Sequence, residues 1–129
     1  MSKVKNITIL IPVYNEAAVL PELVSRIDSL ANPGYGIHVL FVDDGSTDNT
    51  ALLLDDIVKG KENCSAVFLS RNFGHAMALT AGLAHLQDSS DAVFIIDADL
   101  QDPPEMLFQF LEKMNEGYDV VYGIRRYRK

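Results

Sequence analysis

Five short apolar runs alternate along the chain with longer segments in which apolar positions recur every third or fourth residue. The runs are Ile7 to Val13, Ile37 to Val42, Ala66 to Leu69, Ala92 to Ile96 and Val120 to Ile124. Runs of this length without polar alternation predict strands buried on both faces. Between them the spacing predicts helices. The first covers Pro21 to Leu30, with Pro21 suited to the first turn and Leu23, Ile27 and Leu30 on one face. The second covers Thr50 to Lys59 and stops at Gly60, and the third covers Gly74 to Leu86. The fourth covers Pro104 to Asn115 and stops at Gly117. Strict alternation of strand and helix predicts an α/β fold: a doubly wound, mainly parallel sheet with helices on both faces. In such sheets ligands bind outside the carboxyl ends of the strands, so the residues that follow each strand carry the information about function.

Composition narrows the class. The chain has 129 residues, 48% hydrophobic and 22% charged, which suits one domain with a substantial core. A formal net charge of −7 argues against a nucleic-acid binder. The charge is uneven, because Arg125, Arg126, Arg128 and Lys129 crowd the terminus and leave 7 bases against 18 acids before it. Cys64 is the single cysteine, so no intrachain disulfide forms, and its apolar neighbours suggest a packed small side chain. The Ile7 to Val13 run is too short for a membrane span and no small-residue cleavage site follows it, which points to a soluble cytosolic domain.

The segments after the strands hold the chemistry. After the first run comes Pro12-Val13-Tyr14-Asn15-Glu16, and the first glycine of the chain is Gly34. Glycine-rich dinucleotide turns and P-loops are therefore excluded there. An aromatic ring, an amide and a carboxylate suit a nucleobase; the same residues also suit helix capping and packing. After the second run comes Asp43-Asp44-Gly45-Ser46-Thr47-Asp48. Adjacent carboxylates repel unless a cation or hydrogen-bond donors meet them, whereas Ser46 and Thr47 read as caps of the second helix. After the third run comes Arg71-Asn72-Phe73-Gly74-His75, leading into a helix of small residues that should pack closely on the sheet. Cations beside a helix start favour anions, with His75 equally readable as an exposed first-turn residue.

After the fourth run comes Asp97-Ala98-Asp99-Leu100-Gln101-Asp102-Pro103-Pro104-Glu105. Asp97 and Asp99 share one side of an extended backbone. With Gln101 they offer hard oxygen donors suited to Mg²⁺ or Mn²⁺ on a diphosphate. Asp102 through Glu105 also has the form of a capping box with proline in the first turn. After the fifth run Arg125 and Arg126 bring cations to the same edge, or form a solvated tail.

Taken together these stretches resemble the family 2 glycosyltransferases of GT-A type. Within that family they are most similar to the branch of dolichol-phosphate mannose synthases and polyprenyl-phosphate (bactoprenol) glucosyltransferases. The matching stretches are Ile11 to Glu16, Val42 to Asp48, Arg71 to His75, Asp97 to Glu105 and Gly123 to Arg125, in order over nearly the whole chain. The resemblance implies that residues 1–129 are the nucleotide-sugar-binding part of a GT-A domain. It implies that Pro12, Tyr14, Glu16, Asp43, Asp44 and Asp97 form the nucleotide site, and that Asp97, Asp99 and Gln101 hold a divalent metal. Asp99, Asp102 and Arg125 would be catalytic, and Arg71, His75 and Arg126 would meet a phosphate or the acceptor.

The implied reaction moves a sugar, with inversion, from a UDP-glucose or GDP-mannose type donor to a polyprenyl or dolichyl phosphate. It would take place at the cytoplasmic face of a membrane, with membrane contact supplied by sequence beyond this chain and self-association into a homo-oligomer left open. Family members run well past Gly123-Ile124-Arg125, so the chain is expected to bind donor or metal better than it turns over. Two other readings compete. One is a family 2 enzyme acting on a hydroxyl acceptor; the other is a non-catalytic nucleotide-binding module. A phosphoacceptor receiver domain would place its acidic pair after the first strand, where this chain has Asn15 and Glu16.

Overall fold

The computed structural model describes residues 4–86, 89–99, 103–118 and 121. Strands β1 (Asn6–Val13), β2 (Gly36–Asp43), β3 (Cys64–Phe68) and β4 (Ala92–Ile95) alternate with helices α1 (Leu20–Asp28), α2 (Thr50–Gly60) and α3 (His75–Leu86). A short 3₁₀ turn over Pro104–Met106 then leads into α4 (Leu107–Asn115). The fifth strand expected over 120–124 falls, apart from Val121, outside the described residues.

The four strands form one parallel sheet in the order β3-β2-β1-β4. The period of two along β1 explains the layers. Ile7, Ile9, Ile11 and Val13 face one side and meet Leu20, Leu23 and Ile27 of α1, Leu54 of α2, and Leu107 and Leu111 of α4. Leu10 faces the other side and joins Leu40, Val42 and Ala78 under α3. Helices therefore cover both faces, as a doubly wound sheet requires. The small residues of α3 do bring it close: a β-carbon on Gly82 would lie 2.5 Å from Leu10 Cδ1 and 3.0 Å from Val42 Cγ2.

Two expectations are corrected. β3 starts at Cys64 rather than Ala66, because pairing with β2 begins at Val39 opposite Cys64. β4 is not buried on both faces: Ala92 and Phe94 are buried, while Val93 and Ile95 are 36% and 44% exposed. Its position beside β1 explains this, since α3 packs chiefly on β1 and β2 and leaves that face of β4 uncovered. The capping box expected over Asp102 to Glu105 begins at a residue outside the described ones. Pro103 takes the cap position without a side-chain bond, and Glu105 grips Arg26 of α1 through contacts of 2.6 and 3.2 Å. Cys64 is buried as expected, and burial pushes its thiol above the ordinary range. Among the described residues no helix is long and apolar enough to cross a membrane.

Candidate functional site

The chain order reverses at β1: β2 and β3 extend the sheet to one side, and β4 returns to the other. Such a switch point opens a crevice at the carboxyl ends of the strands. Here it holds a cavity of about 540 Å³. Its lining comes from the segment after β1 (Pro12, Val13, Tyr14, Glu16), the segment after β4 (Asp97, Ala98, Asp99), the start of α3 (Asn72, Gly74, His75, Ala78) and Asp44.

Four segments meet at this cavity, and hydroxyl relays join those that follow β1 and β2. Ser46 Oγ accepts from the Asn15 N–H at 2.9 Å and donates to Asp43 Oδ1 at 2.5 Å. Thr50 Oγ1 accepts from the Glu16 N–H at 2.9 Å and donates to Asp48 Oδ1 at 2.5 Å. Those bonds from Thr50 hold the Asp48 carboxyl below the ordinary carboxylate range. Asn15 itself sits at φ +53° and its Oδ1 accepts from the Thr47 N–H at 2.8 Å. A short amide side chain tolerates that left-handed backbone and bonds locally. Ser46 and Thr47 are thus loop ties rather than caps of α2, whose cap position is Asn49 without a side-chain bond.

The paired aspartates after β2 are 3% and 4% exposed and part company. Asp43 is bonded by Ser46 and does not line the cavity. Asp44 does line it, but its carboxylate receives the N–H groups of Phe73 at 2.8 Å and Gly74 at 3.0 Å. Hydrogen-bond donors meet both of the adjacent acids, as their repulsion requires.

Tyr14 is 42% exposed at the rim, so it is available for stacking and is not core packing. Glu16 lies among acids: burial first, then Asp99, Asp48 and Asp97, push its carboxyl above the usual value. His75 opens α3 with Nε2 3.9 Å from Asp97 Oδ1. Arg71 is exposed and its guanidinium lies 4.2 Å over the Phe73 ring; it does not line the cavity. Gln101, Asp102, Arg125 and Arg126 fall outside the described residues.

Sequence reasoning missed Asn72, Gly74 and Ala78 as wall residues. The run of small residues after Arg71 was the available signal, since small side chains leave room for a ligand as well as for a sheet.

The donor chemistry fits a hard divalent cation, for Glu16, Asp97 and Asp99 crowd carboxylates on one wall. Among the described residues no three His, Cys, Asp or Glu side chains are placed to enclose a metal ion.

The chain is 41% identical over 128 residues to the undecaprenyl-phosphate 4-deoxy-4-formamido-L-arabinose transferase of Klebsiella pneumoniae, spanning 98% of itself but 38% of that relative. Its fold matches the mannosyltransferase PcManGT from Pyrobaculum calidifontis, solved with GDP-Man and Mn²⁺. That match has a TM-score of 0.66 and 26% identity, over 80% of this chain and 34% of that one. It also matches glucosyl-3-phosphoglycerate synthase from Mycobacterium tuberculosis, solved with Mn²⁺, UDP and glucosyl-3-phosphoglycerate. There the TM-score is 0.67 and the identity 25%, over 88% of this chain and 40% of that one. The parallel sheet and its covering helices are those of part of a GT-A domain. The model of glycosyl transferase family 2 matches residues 8–129, and the chain belongs to that family.

Proposed function

We propose that the cavity binds the nucleoside diphosphate part of a sugar donor. In a protein of its relatives' length, the chain would then supply the donor half of an inverting, metal-dependent transfer to a polyprenyl phosphate. The observation that carries this reading is the meeting of Tyr14, Glu16, Asp97, Asp99 and the start of α3 at one switch-point cavity. Tyr14 offers a ring to the base, and the start of α3, whose dipole favours an anion, lines the same cavity. A divalent cation held in part by Asp97 and Asp99 would neutralise charge on the departing diphosphate. An acceptor phosphate is already an anion, so its oxygen can attack the anomeric carbon without a strong general base, and the nucleoside diphosphate leaves. The chain's contribution is positioning and electrostatics.

The relative named for undecaprenyl phosphate supports the acceptor class, and the family resemblance puts the proposed site of action at the cytoplasmic face of a membrane. A glucose- or mannose-type sugar is the first expectation, and the formamido-arabinose of that relative extends it to modified pentoses. The neighbours solved with Mn²⁺ support a divalent cofactor, Mg²⁺ or Mn²⁺. Calorimetry with UDP- and GDP-sugars, with and without Mn²⁺, is the test. Saturable binding that strengthens with Mn²⁺ is expected. Failure of every nucleoside diphosphate to bind more tightly than inorganic phosphate would overturn the proposal.

A further inference from the structure

Among the described residues the buried polar side chains are Thr8, Asp43, Asp44 and Thr50. Thr50 is the first residue of α2, is fully buried and does not line the cavity. Its hydroxyl makes two bonds at once: Oγ1 accepts from the Glu16 N–H at 2.9 Å and donates to Asp48 Oδ1 at 2.5 Å. The Thr50 N–H donates to the same Asp48 oxygen at 2.9 Å. Leu54, one turn further along α2, is buried too, so this hydroxyl is presented by a helix seated in the core. Glu16 belongs to the segment between β1 and α1. Its carbonyl accepts from the Val19 and Leu20 N–H groups, each at 3.2 Å, and its N–H goes to Thr50.

We infer that Thr50 is a positioning residue: its buried hydroxyl fixes the Glu16 backbone and so keeps the Glu16 carboxylate on the cavity wall, with no contact of its own to a ligand. This rests on the reading of the cavity as a nucleoside diphosphate site. Glu16 lines the cavity together with Asp97 and Asp99, and burial and the charges of Asp99, Asp48 and Asp97 oppose its ionisation. Repulsion therefore works to turn that side chain toward solvent, and the anchor at its backbone works against it. The residue type follows from the two bonds. A hydroxyl accepts from an amide and donates to a carboxylate through one atom, which neither an amide nor a carboxylate side chain does. The β-branch of threonine restricts χ1 and holds that atom in place; serine offers the same bonds with a freer rotamer.

The test measures UDP and GDP binding with Mn²⁺ by calorimetry, together with amide spectra and thermal melting. Thr50→Val keeps the shape and removes the hydroxyl. Both nucleotides should weaken roughly tenfold, the scale of one hydrogen bond to a charged group, and the Glu16 amide signal should move. Thr50→Ser should show an intermediate loss of about threefold, from its freer rotamer, and it carries the test if Thr50→Val does not fold. Thr8 is also buried, bonds Ser90 Oγ and does not line the cavity, so Thr8→Val should lower Tm without weakening either nucleotide. In a Glu16→Ala background, itself weaker in binding, neither Thr50 substitution should cost anything more, because the two residues act as one unit. Wild-type affinity in the Thr50 variants that fold would overturn the inference. So would a loss that persists undiminished in the Glu16→Ala background, or an equal loss in Thr8→Val. Wild type that binds neither nucleotide would instead overturn the nucleotide reading of the cavity.

Discussion

Replacing Gly45 with alanine should disturb the cavity from behind. Gly45 follows Asp44 at φ +69°, and a β-carbon there would lie 2.2 Å from the Arg71 carbonyl carbon and 2.4 Å from the Asn72 nitrogen. These are backbone atoms, so no side chain can swing away. The Arg71–Asn72 peptide would have to retreat by more than an ångström to reach an ordinary contact of about 3.5 Å. Left-handed backbone costs alanine roughly 1–2 kcal/mol, and overpacking adds about 1–3 kcal/mol. The retreat would also stretch the bonds from Phe73 and Gly74 to Asp44. A destabilisation of about 3 kcal/mol or more is expected, a fall in Tm on the order of 10 °C for a chain of this size.

Gly117 supplies the control. Its φ is +112° and nothing lies within 4 Å of its would-be β-carbon, so Gly117→Ala carries the backbone cost alone. Thermal and urea denaturation of both variants should show Gly45→Ala worse by at least the steric part. If the two variants lose equal stability, the close crossing of the loops does not constrain the fold and the reasoning fails.

Other outcomes follow from the same geometry. Glu16 titrates above its ordinary 4.5 because burial and neighbouring acids oppose its charge, so its contribution to stability is present below 4.5 and is lost as pH rises through the folded value. Glu16→Gln should therefore melt above wild type near pH 7, with the gap closing below pH 4.5; equal melting across pH would refute the crowding. Gly82→Ala should lose about 1–3 kcal/mol in urea titration, because its β-carbon would meet Leu10 Cδ1 at 2.5 Å inside packed core. Asp99→Ala should abolish the Mn²⁺-dependent part of donor binding in calorimetry, and undiminished binding would remove Asp99 from the metal site.

Most of the architecture was legible because it depends on local periodicity. Continuous apolar runs mark strands covered on both sides, and spacing of three to four marks helices that supply the cover. The reading was weakest where burial depends on position in the sheet. Val93 and Ile95 look like core residues along the chain, yet β4 extends beyond the reach of α3. Ser46 and Thr47 look like caps, yet partners 31 and 32 residues away, in Asn15, claim them.

By its sequence alone this chain determined which residues gather at the carboxyl edge of a parallel sheet, because strand ends and loop composition are local properties. The sequence also announced an acidic pair after β2 that needed partners. Only the tertiary structure decided who those partners are. Ser46 meets Asp43 within one turn, whereas Asp44 is met by amides from a loop nearly thirty residues on. A sequence shows that a buried charge must be satisfied; it does not show which distant backbone turns its N–H groups toward it.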